Sequence, residues 1–111
     1  MQDQELNKRN LVRGTVLRAG ICVFGDGANK FNCSIRNRSP EGARLSFPIV
    51  RTLPPQFWLI DVLGHHAFSA RLAWSGKTDA GLAILHTMDI GKIQDRSLVY
   101  LLHIWQDRTR R

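Results

Sequence analysis

A chain of 111 residues is one ordinary domain, long enough to bury a core without metal or disulfide staples. Its hydrophobic fraction of 43% excludes a disordered or fibrous chain, and no apolar run approaches the ~20 residues of a membrane helix. The net charge of +7 points to an anionic partner; twelve of the 16 basic residues are Arg, whose planar fork suits phosphate and guanine edges.

Residues 1–14 are polar and read as a flexible arm carrying Lys8, Arg9 and Arg13. They do not resemble a secretory leader, so a cytoplasmic protein with reduced cysteines is expected. Thr15 to Phe24 reads as the first strand, with Leu17, Ala19, Ile21 and Val23 on one face. Gly25-Asp26-Gly27 is a hairpin turn. Phe31, Cys33 and Ile35 then alternate with Asn32, Ser34 and Arg36, so Cys22 and Cys33 read as small buried apolar residues on neighbouring strands. The NRSPEG segment, residues 37–42, is a turn, because Pro40 cannot donate to a ladder and Asn, Ser and Gly favour bends.

Alternation resumes at Ala43, Leu45 and Phe47 and stops at Pro48; a loop runs through Pro54-Pro55. Phe57 to Val62 is a short apolar strand, and Gly64-His65 turns the chain. Phe68, Ala70, Leu72 and Trp74 alternate with polar or small residues, placing these four on an inward face. Gly81 to Leu85 is the last strand. Beyond it, Ile90, Ile93, Leu98, Leu101, Leu102 and Trp105 recur at helical spacing, with Asp89 or Asp95 as the cap and Arg108, Arg110 and Arg111 suiting the C-terminal dipole. Six strands at hairpin spacing predict a mainly β fold: a six-stranded antiparallel barrel over residues 15–111, closed by a C-terminal α-helix.

Nothing in the chain spells a catalytic motif. The nine carboxylates are scattered, and His65 and His66 are neighbours that point opposite ways on a strand. No enzyme activity, metal or cofactor is expected. Two motifs remain. Arg9 and Arg13 form an RxxxR just ahead of the first strand, a pair that twelve arginines would produce about once by chance. Asn37, Ser39 and Gly42 form an NxSxxG between the second and third strands, a pattern that composition alone would give in about one such chain in twenty.

With those two motifs in that order, the chain resembles the PilZ domain, a bacterial receptor module for cyclic di-GMP. The likeness covers most of the chain and includes Ala70–Trp74 followed by Gly81–Ile84 as the final strand pair. The resemblance implies a ligand site made of Arg9, Arg13, Asn37, Ser39 and Gly42, with Lys8 and Arg38 beside it. Asn37 stands where the family often has Asp. Lys8, just ahead of the first Arg, implies that an intercalated pair of ligands fits. The arm would close over the ligand and present a new surface to a downstream protein partner.

The chemistry agrees with the residue types. A guanine edge offers O6 and N7 to an arginine fork, and a guanidinium also stacks on bases and pairs with phosphate. Gly42 is expected either to adopt a positive φ or to let the backbone approach the ligand. Arg36 and Arg44 flank the turn as further phosphate contacts or as solvated residues. The competing reading is a basic barrel that binds RNA or single-stranded DNA; the inward placement of Phe31, Phe47, Phe68 and Trp74 argues against it, and no specific nucleic acid is expected.

Overall fold

The computed structural model describes residues 17–109. Six strands follow in chain order: β1 (Arg18–Phe24), β2 (Asn29–Arg36), β3 (Gly42–Ser46), β4 (Gln56–Asp61), β5 (His66–Ser75) and β6 (Asp79–Asp89). They close into an antiparallel barrel in the order β1-β2-β3-β6-β5-β4. The expected fold class is therefore observed, while the arm over residues 1–14 lies outside the described residues.

Two apolar clusters sit on opposite sides of the barrel wall. The interior is filled by Cys22, Cys33, Ile35, Leu45, Phe57, Leu59, Phe68 and Leu82, among others. The second cluster lies outside and joins Ile21, Val23, Ile60 and Ala67 to Leu101, with Trp58, Ile104 and Trp105 around it. The face of β1 that the alternation picks out is thus the one under the helix, while Cys22 on the opposite face looks into the barrel. Both cysteines are buried free thiols, with their Sγ atoms 3.9 Å apart. The Cys33 contact, followed by burial, pushes the Cys22 thiol far up, so it stays protonated and behaves as an apolar filler.

The C-terminal segment departs from one continuous helix. Ile90–Lys92 and Arg96–Leu98 are separate 3-10 turns, and only Val99–Thr109 is α-helical (α1). Asp89 caps the first turn through Gly91 N–H and Asp95 caps the second through Ser97 N–H. Both aspartates are caps, of different elements, because each side chain offers its own following turn a local acceptor. Helix α1 is tied to the barrel by Trp105, whose indole N–H donates to the Val62 carbonyl at 3.0 Å.

Trp74 also departs from expectation. Leu72 pairs with Leu82, but Trp74 pairs with Gly81, leaving Ala73 as an extra residue. That bulge reverses the alternation and turns Trp74 outward, where it is 46% exposed. The ring lies on Gly81: a Cβ built there would collide with its indole nitrogen. A second irregularity, at Leu85 on β6, leaves that side chain exposed as well.

Candidate ligand-binding site

Antiparallel pairing brings the NxSxxG turn and the start of β1 to one rim of the barrel. Arg18, the first residue of β1, is in register with Ile35, two residues before Asn37. Arg18 is held there by Asp61 at the end of β4. The carboxylate is wholly buried, with Oδ2 3.0 Å from Arg18 Nη2 and Oδ1 accepting the Gly64 N–H at 3.0 Å. Arg18 Nε also donates to Oδ1 at 3.4 Å, so the guanidinium meets both carboxylate oxygens. A side chain at Gly64 would run into both partners, which explains the glycine in this turn.

The turn itself is built by its three motif residues. Asn37 carries a φ of 51°, a left-handed conformation that Asn and Asp tolerate better than other side-chain-bearing residues. Ser39 N–H donates to the Gly42 carbonyl at 2.8 Å, and Ser39 Oγ accepts the Glu41 N–H at 3.4 Å. Gly42 does not adopt a positive φ. Its role is the close approach of strands, since a Cβ there would stand 2.7 Å from the Leu82 carbonyl oxygen of β6. Gly42→Ala is expected to lower stability by about 1–3 kcal/mol, because a backbone carbonyl in a ladder cannot yield as a side chain would. A lower urea midpoint with unchanged slope checks this.

Arginines gather around the turn on the outer surface. Arg36 on β2 and Arg44 on β3 are directly paired across the seam, a like-charge juxtaposition that is destabilising without an anion nearby. Arg44 is partly compensated by Asp79 at 2.9 Å and lies over the Trp74 ring, 5.6 Å from its centroid. The row Arg44, Gly81, Trp74 therefore presents a cation and an exposed aromatic face across β3, β6 and β5. Arg38 takes a different direction and sits over the ring of Phe68 at 4.9 Å, capping the barrel mouth.

Of the residues expected to bind ligand, the structure brings Asn37, Arg38, Ser39 and Gly42 together at the rim. Lys8, Arg9 and Arg13 lie outside the described residues. Trp74 is the residue that sequence reading placed wrongly, facing inward; the signal was the glycine at position 81, which leaves room for a ring on the outer surface. His65 and His66 are separated in role: His65 has a positive φ in the turn and meets the Trp105 ring edge-on, whereas His66 begins β5 with a buried Nδ1 that has no described partner. Among the described residues, no three His, Cys, Asp or Glu side chains gather as metal ligands, and no helix is long and apolar enough to cross a membrane.

No family model, curated protein or solved structure matches this chain.

Proposed function

We propose that the protein is a receptor for cyclic di-GMP that signals by closing its N-terminal arginine arm over the ligand. The observation that carries the reading is the shared rim: the chain enters the barrel at Arg18, in register with Ile35 and two residues from the NxSxxG turn. Four residues lie between Arg13 and Arg18, and those five steps of chain can span at most about 18 Å. The facing arginines Arg36 and Arg44 add positive charge where a phosphate would lie, and Trp74 offers a base a stacking surface beside Arg44. Asn37 and Ser39 offer short polar groups to a guanine edge. Binding and exposure of a new surface to a protein partner need no bond-making chemistry, and no catalytic role is assigned to any residue.

Calorimetric titration with cyclic di-GMP tests the reading and reports stoichiometry, which separates one bound ligand from an intercalated pair. Absence of heat at tens of micromolar ligand rejects it. The outward turn of Trp74 favours one second reading, a basic barrel on which single-stranded RNA or DNA stacks. Salt-dependent binding of arbitrary oligonucleotides, unaffected by cyclic di-GMP, would decide for that alternative.

A further inference from the structure

The end of β1 with the β1–β2 turn, the first residues of β4, Ser69 of β5 and Tyr100 at the start of α1 line an open groove of about 340 Å³. Phe24, Trp58 and Tyr100 are among the aromatic residues of its lining, and Asp26, Gln56 and Ser69 supply polar groups. Among the described residues, no Lys, Arg or His lines it. The groove along α1, by contrast, is lined by Lys30, His103 and Arg108 together with Asp107.

The backbone at Asp26 is held in a tight turn. It has a φ of 55° between Gly25 and Gly27, both also at positive φ, and the turn is closed by Ala28 N–H donating to the Gly25 carbonyl at 3.0 Å. The turn packs on Tyr100 so closely that a Cβ at Gly27 would come within 3.1 Å of the ring. Asp26 makes no hydrogen bond or ion pair with any described residue. Its carboxylate still acts on Tyr100, whose phenol is pushed up mainly by burial and then by this negative charge.

An exposed carboxylate beside aromatic rings is the chemistry that holds a cation: the ring faces attract positive charge through their quadrupoles, and the carboxylate supplies the counter-ion. We propose that this groove receives an arginine side chain presented by another protein, its guanidinium seated among Phe24, Trp58 and Tyr100 with Asp26 as its ionic partner. Charge complementarity selects the occupant, since Asp26 attracts a cation and repels an anion. Along β1, Phe24 of this groove and Arg18 of the arginine-rich rim stand at opposite ends of the strand.

The test uses the whole protein and N-acetyl-arginine N-methylamide, which carries the side chain as a peptide would, without terminal charges. In proton–nitrogen correlation spectra, titration is expected to shift the Trp58 indole N–H and the amides of Asp26, Gly27 and Tyr100, with a dissociation constant of about 1–10 mM for a single side chain. The citrulline analogue, of the same shape without charge, is expected to shift none of them. Asp26→Asn preserves the turn, because Asn accepts the same left-handed backbone, and it is expected to weaken binding at least about fivefold. Tyr100→Leu gives a second variant that keeps the helix apolar while removing the ring. Equal shifts from citrulline, full affinity in both variants, or no shift at about 100 mM arginine probe would each overturn the proposal.

Discussion

Arg13→Ala is expected to weaken cyclic di-GMP binding by roughly 10- to 100-fold, and Arg9→Ala by a similar factor, as loss of one charge-assisted bidentate contact does. The double variant is expected to give no measurable heat. Arg13→Lys is expected to recover little, because an ammonium keeps the charge but loses the fork and the flat stacking face. Arg36→Ala is expected to cost less, about three- to tenfold, because relief of its like-charge pairing with Arg44 offsets part of the lost attraction. Calorimetry on each variant, with a circular dichroism spectrum matching the parent, checks the series. If Arg9→Ala and Arg13→Ala both bind with parental affinity, the arm plays no part and the receptor reading in its present form fails.

Phe68→Ala is expected to lower stability by about 3–5 kcal/mol, enough to unfold most of a domain whose total stability falls in the ordinary range of roughly 5–15 kcal/mol. Phe68 is fully buried in the barrel interior, and the closed sheet limits how far its wall can relax into the space left behind. The same ring is the seat of the Arg38 guanidinium, so the variant also releases a cation at the arginine-rich rim. Arg38→Ala separates the two effects: it removes only the cation–ring contact and is expected to cost no more than about 1 kcal/mol. Urea unfolding of both variants measures the difference. A Phe68→Ala midpoint within error of the parent would show that the ring is not packed as described.

These two experiments probe the molecule at different depths. Arg9 and Arg13 were singled out by spacing and order relative to the first strand, and their part in binding rests on that order together with the shared rim. Phe68 was legible as inward from strict alternation with Ser69, and the barrel confirms that placement. Ser39 was legible as a turn residue, and its hydrogen bonds within the turn show how it holds the bend.

Gly42 illustrates where a sequence stops speaking. A glycine ending a polar bend is compatible with a positive φ, a ligand contact or a tight crossing, and the residues around it are the same in all three cases. Only the pairing of β3 with β6, between strands far apart in the chain, shows that the Leu82 carbonyl occupies the space a side chain would need. Trp74 fails for a related reason. Period-two reading assumes an unbroken ladder, and the extra residue at Ala73 exists only relative to β6.

What the amino-acid order alone determined was the number of strands, their approximate positions, the Gly-Asp-Gly hairpin and the antiparallel barrel with a terminal helix, because alternation and turn chemistry are local properties of the backbone. What tertiary structure decided was which apolar face meets the barrel interior and which meets α1, which side Trp74 takes, and that Arg36 and Arg44 stand face to face. Those depend on register between distant segments: a buried pattern records that water is excluded from a face, and only closure of the sheet names what excludes it.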